Sequence, residues 1–131
     1  MGLEFEISTA QLGNDAYVVS VRGEADLHTA PELERALEDV LGRGGRAVAL
    51  DLAEVGFIDS TALEALLTYQ PRFKKRGGDL VLVSDDRRVL RTFEIIGLDR
   101  VFSIHSRLST AVESLYGELL GPAAAPAAES T

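Results

Sequence analysis

Val55-Gly56-Phe57-Ile58-Asp59-Ser60-Thr61-Ala62-Leu63-Glu64-Ala65-Leu66-Leu67 is where the hydrophobic period of this chain changes. Immediately upstream, Ala47-Val48-Ala49-Leu50-Asp51-Leu52 is a short, nearly continuous apolar run, bounded by Gly44-Gly45 and by a polar turn at Ala53-Glu54. A run of that length with glycines in front of it reads as a buried strand. Downstream, Leu63, Leu66 and Leu67 recur at three- and four-residue spacing, as on a core-facing helix. Between the two stands Asp59-Ser60-Thr61, three residues whose side chains accept the first N–H groups of a helix. Thr61 with Glu64 matches the S/T-x-x-E capping box, which makes Thr61 the expected cap. The Ser60 hydroxyl is then left free, at a helix N-terminus where unpaired N–H groups and the macrodipole favour added negative charge. A hydroxyl in that position can take a phosphate without disturbing the fold.

Working outward, Leu3, Phe5 and Ile7 alternate with Glu4, Glu6 and Ser8, the pattern of a half-buried strand. Gly13-Asn14-Asp15 is a turn, Tyr17 to Val21 a second strand, and the short connection predicts an antiparallel hairpin ended by Gly23. Thr29-Ala30-Pro31-Glu32 predicts a helix start, with a threonine cap, a proline in the first turn and a capping-box glutamate. Leu33, Ala36, Leu37, Val40 and Leu41 form its apolar face, and the glycines of residues 42–45 stop it. After the Ser60 helix, which Pro71 should kink near Leu67–Gln70 with Arg72 to Lys75 continuing a distorted last turn, Leu80-Val81-Leu82-Val83 reads as another buried strand. Asp85 or Ser84 caps a short helix that Gly97 closes in a left-handed turn. Residues 101–104 predict a short strand, and Leu108, Ala111, Val112, Leu115 and Leu119 a last helix. The expected fold is therefore α/β, a single domain over residues 1–120 with a mixed sheet in the order β-β-α-β-α-β-α-β-α. Residues 121–131, rich in Pro and Ala, cannot bury enough to order themselves and are expected to form a loose tail.

The bulk properties narrow the function. With 131 residues, 46% hydrophobic and 26% charged, the chain is of single-domain globular size and composition. A net charge of -8 argues against binding nucleic acid or an anionic membrane surface, and a basic partner is its natural complement. The absence of cysteine removes disulfides, thiolate catalysis and cysteine metal sites, and fits a cytoplasmic location. No apolar run is long enough for direct membrane insertion, and no basic-then-apolar leader opens the chain. A serine hydrolase needs a G-x-S-x-G elbow, whereas Ile58-Asp59-Ser60-Thr61-Ala62 has neither glycine and sets an acid beside the serine. His28 and His105 have no partner at metal-ligand spacing. Gly42-Arg43-Gly44-Gly45 lacks the lysine and hydroxyl of a phosphate-binding loop. No enzyme, no cofactor and no metal are expected.

Asp-Ser-Thr ahead of a helix is, by itself, ordinary capping chemistry. Here it stands inside Phe57-Ile58-Asp59-Ser60-Thr61-Ala62-Leu63, which resembles the signature of the STAS domain family of bacterial anti-sigma factor antagonists. Gly23-Glu24-Ala25-Asp26-Leu27-His28-Thr29-Ala30 resembles that family's other characteristic loop, in the expected order. The resemblance spans residues 5–119 and departs from many relatives at Ala62, where they carry glycine. It implies a mixed sheet with an antiparallel first strand. It also implies that Ser60 is a phosphoacceptor and that Glu24, Asp26, His28, Asp59, Ser60 and Thr61 face a partner. That partner would be an anti-sigma factor that is also a serine kinase, with a serine phosphatase to reset the switch. Two other roles within the family are a subunit of an ABC-type membrane transport complex and a component of a stress-signalling assembly. The intact Asp-Ser-Thr triplet favours the phosphoswitch over the docking subunit, and the absence of a second sensory domain counts against the assembly.

Overall fold

A computed structural model of the chain describes residues 4–120. The sequence-predicted tail, residues 121–131, and Leu3 at the head of the first predicted strand lie outside the described residues. In chain order the elements are β1 (Glu6–Gln11), β2 (Ala16–Ala25), α1 (Ala30–Gly42), β3 (Ala47–Ile58), α2 (Ser60–Lys74), β4 (Asp79–Val83), α3 (Arg87–Ile96), β5 (Ile104–His105) and α4 (Leu108–Leu120). The five strands form one sheet in sequence order, β1-β2-β3-β4-β5. β1 runs antiparallel to β2, and every other neighbouring pair is parallel. This is the expected element order.

The two-residue period of the strands divides the core between two faces. Val19, Val48, Leu50, Leu80 and Leu82 point to one side, against Leu33 and Leu37 of α1, Leu63, Leu66 and Phe73 of α2, and Val89 and Phe93 of α3. Their neighbours Val18, Ala47, Ala49, Val81 and Val83 point to the other, against Ala111 and Leu115 of α4. Central strands covered on both faces carry no polar alternation, so β3 and β4 read as continuous apolar runs. α1 and α2 are also joined at their surface. Arg72 Nη1 and Nη2 donate to Glu38 Oε2 and Oε1 at 2.8 and 2.9 Å. Tyr69 Oη donates to Glu38 Oε2 at 2.7 Å. These bonds, the Arg72 one foremost, hold the Glu38 carboxyl down at about 2, while burial and the Glu38 bond push the Tyr69 phenol up to about 12.

Several boundaries differ from the sequence reading, each for a local reason. Gly23 does not end β2: the strand continues to Ala25, with the register shifting between Gly23 and Glu24. Gly23 has φ +107°, and a Cβ there would lie 3.1 Å from Phe5 Cα, so only glycine lets the two strands approach. Likewise Ala53-Glu54 is no turn. Asp51 Oδ1 accepts the Ala53 N–H, and β3 carries on to Ile58, past its last β4 partner at Asp51. α2, by contrast, continues past Pro71 to Lys74, as expected. Asp86, neither Ser84 nor Asp85, caps α3 by accepting the Arg88 and Val89 N–H groups. Gly97 closes α3 in the expected left-handed conformation, φ +84°. A 3-10 turn at Leu98–Arg100 then occupies the approach to β5, which shrinks to Ile104–His105.

Candidate functional site

The extension of β2 and β3 beyond the rest of the sheet delivers two loops to one end of the molecule. Glu24 pairs with Phe57 and Ala25 with Ile58 at the last rungs of the ladder. The Asp59 N–H then donates to Ala25 O at 3.0 Å, and the chain turns into α2. Here the structure corrects the expected cap. Asp59, extended at φ -111° and ψ 179°, is the cap, and its Oδ1 accepts the Ala62 N–H at 3.1 Å. Thr61 lies inside the first turn of α2, so the Thr61–Glu64 capping box does not form. The consequence expected for Ser60 nevertheless holds. It is the first residue of α2 and exposed, and its hydroxyl makes no hydrogen bond among the described residues.

The second oxygen of Asp59 crosses to the β2–α1 loop, where Oδ2 accepts the Leu27 N–H at 3.0 Å. One carboxylate thus ties the start of α2 to the loop of residues 26–29. That loop is also bonded within itself. Asp26 Oδ1 accepts the N–H groups of His28 and Thr29 at 2.9 and 3.1 Å. Thr29 Oγ1 accepts the Asp26 N–H and donates to Glu24 O, both at 2.8 Å. Thr29 therefore occupies the cap position of α1 without capping it: its hydroxyl serves the loop. Asp26 thus builds the turn that carries His28.

Of the residues singled out from sequence, Glu24 and His28 are exposed, Asp26, Asp59 and Thr61 half-buried, and all belong to this end of the molecule together with Ser60. Two members of the surface went unnoticed in the sequence. Leu27 is 62% and Phe57 48% exposed, although both are large apolar side chains. A signal existed, since Leu27 is the lone large aliphatic residue between Asp26 and Thr29, where a turn should be polar. Behind Phe57 lies a cleft of about 400 Å³ between the strand ends and α3, lined by Gly23, Glu24, Gly56, Ile58, Arg88 and Thr92. Arg88 extends over Gly56 and is held by Asp86 through a 2.9 Å Nη2–Oδ2 bond. That bond is the main reason the Asp86 carboxyl lies low, at about 2.

Among the described residues no group of three or more His, Asp or Glu is arranged to hold a metal. No helix among them is long and apolar enough to cross a membrane. What this end offers is an exposed hydroxyl, a rim of carboxylates and two protruding apolar side chains.

Comparison with known proteins is consistent with that description. The anti-sigma-B factor antagonist of Listeria monocytogenes is 32% identical over 102 residues, covering 78% of this chain and 90% of that protein. The one from Staphylococcus aureus is 32% identical over 113 residues, covering 86% of this chain and all of the other. Among solved structures, an anti-sigma factor antagonist from Mycobacterium paratuberculosis superposes with a TM-score of 0.74 at 26% identity, over 87% of this chain and 96% of that one. The family model described as the STAS domain matches residues 7–111, which include both loops of the site, and the chain belongs to the STAS domain family.

Proposed function

We propose that this chain is an anti-sigma factor antagonist: a binding protein, not a catalyst, that captures an anti-sigma factor and so frees a sigma factor. Its relatives in Listeria and Staphylococcus carry that name. In this reading the anti-sigma factor is itself a serine kinase, phosphorylation of Ser60 ends the complex, and a serine phosphatase restores it. Glu24, Asp26, His28, Asp59, Ser60 and Thr61 form the contact surface. The observation that carries the reading is the state of Ser60: exposed, first in α2, its hydroxyl unengaged, beside a carboxylate whose two oxygens are both occupied by backbone N–H groups.

The neighbouring hydroxyls are poorer acceptors of a phosphate. Thr29 Oγ1 is bonded to Glu24 O and the Asp26 N–H, so modifying it would dismantle the loop. Thr61 is half-buried. A phosphate on Ser60 adds roughly -1.5 to -2 charge at a helix N-terminus, which the fold tolerates. Converting a mostly bound population into a mostly free one takes about 5 kcal/mol of differential affinity. One exposed charge pair in water supplies only about 1 kcal/mol. Most of the effect must come from bulk and desolvation at a closely fitted interface.

The test incubates the wild-type chain and Ser60→Ala with a candidate kinase and ATP, then maps phosphate by mass spectrometry. The reading expects phosphate on Ser60 of the wild type and none on the variant. Phosphate on Thr61 or Thr29 with Ser60 bare would contradict the site. Capture of a transporter subunit in place of an anti-sigma factor would contradict the function.

A further inference from the structure

Leu27 combines two properties that rarely occur together. Its side chain is 62% exposed, while its backbone sits in a closely bonded turn. The Leu27 N–H donates to Asp59 Oδ2 at 3.0 Å, the flanking His28 and Thr29 N–H groups to Asp26 Oδ1, and the Thr29 hydroxyl to Glu24 O. A scattered exposed leucine is unremarkable. An exposed leucine on a preorganised turn, with half-exposed Phe57 at the adjoining strand end, is a different object. Binding energy concentrates in a few protruding apolar side chains, and holding them rigid beforehand lowers the entropy lost on association. The loop bonds leave Leu27 nothing to do for the fold, since its side chain buries little.

Resting on the antagonist function proposed above, we infer that Leu27 is the apolar anchor by which this chain selects its partner, and that Asp59 is the residue that positions it. The partner this surface fits is a protein face with an apolar recess rimmed by Arg or Lys. Glu24, Asp26 and Asp59 lie around the leucine, and the nearby cation, Arg88, is already engaged by Asp86. The chain's net charge of -8 points the same way. Asp59 then acts on the partner at one remove. Its two carboxylate oxygens are turned onto the Ala62 and Leu27 N–H groups, so its loss acts on the partner chiefly by displacing the anchor.

The experiment titrates the anti-sigma factors encoded in the same genome with the wild-type chain, Leu27→Ala, Asp59→Ala, the double variant and Ile95→Ala. Ile95, 72% exposed on α3, is the control for loss of any exposed apolar side chain. Leu27→Ala should keep the wild-type melting temperature and lose roughly tenfold or more in affinity, with Ile95→Ala unchanged. Asp59→Ala should weaken binding in the wild-type background and add little once Leu27 is gone, the non-additivity expected of residues acting as one unit. Wild type that binds an anti-sigma factor, with Leu27→Ala binding it equally well, overturns the inference and leaves the functional reading intact. Additive losses from Asp59→Ala and Leu27→Ala overturn the positioning role. A self-association that Leu27→Ala abolishes, with anti-sigma binding untouched, would show the anchor to serve a second copy and also overturn the inference. Wild type that binds none of the anti-sigma factors overturns both readings.

Discussion

Replacing Asp59 probes a side chain that joins the two loops of the site. Its Oδ1 caps α2 through the Ala62 N–H, and its Oδ2 holds the Leu27 N–H. Loss of an N-terminal cap costs about 1 kcal/mol. A hydrogen bond to a charged acceptor contributes roughly 1.5 kcal/mol at the lower end of its range, the appropriate end for this half-exposed site. Asp59→Ala should therefore destabilise the domain by about 2–3 kcal/mol, a fall in melting temperature of roughly 6–12 °C for a domain of this size. Asp59→Asn retains one carbonyl oxygen for Ala62 and presents an amide, not an acceptor, to Leu27. It should lose only about half as much, roughly 1–1.5 kcal/mol. Thermal denaturation followed by circular dichroism measures the totals, and amide hydrogen exchange at Leu27 and Ala62 apportions them. In Asp59→Asn, exchange should accelerate at Leu27 more than at Ala62. A melting temperature for Asp59→Ala indistinguishable from wild type would refute the reasoning, as would equal losses in the two variants.

Three further outcomes follow from the same geometry. Glu38 has its carboxyl lowered from 4.5 to about 2, so its contribution to stability is complete above pH 4.5 and is lost as the pH falls toward 2; urea midpoints between pH 6 and pH 2 should show this acid limb flattened in Glu38→Gln. Asp26→Asn keeps the Oδ1 acceptor for His28 and Thr29 and should melt near the wild-type temperature, whereas Asp26→Ala leaves those N–H groups without their acceptor and should cost about 1 kcal/mol in chemical denaturation. Ser60→Glu places a negative charge in the first turn of α2 and should raise stability by about 0.3–1 kcal/mol, read as a small upward shift in melting temperature.

The parts of this architecture that were legible in the sequence are those where one physical rule acts alone. The apolar runs of β3 and β4, the leucine spacing of α1, Leu63 and Leu66 of α2 and the left-handed Gly97 all reappear in the structure, whereas Leu67, expected on the core side of α2, is exposed. The errors arose where local rules compete with tertiary ones. Thr61 and Glu64 satisfy the capping-box spacing, but pairing of Asp59 N with Ala25 O fixes the chain two residues earlier and makes Asp59 the cap. Ala53-Glu54 resembles a turn because both side chains are exposed, yet β2 continues alongside and keeps β3 extended. The Asp59–Leu27 bond spans 32 residues and has no sequence signature. Nor has the exposure of Phe57, which depends on β3 outrunning β4. For the site, the exposed hydroxyl of Ser60 was legible although the cap beside it was misassigned.

The central claim is that phosphate on Ser60 decides whether this chain holds its partner. Calorimetric titration of the cognate anti-sigma factor with unmodified chain, and with chain phosphorylated at Ser60 alone, measures that directly. The account predicts binding by the unmodified form and an affinity lower by a factor on the order of 10⁴ for the phosphorylated form, with the same circular dichroism spectrum for both. Equal affinity of the two forms would contradict it.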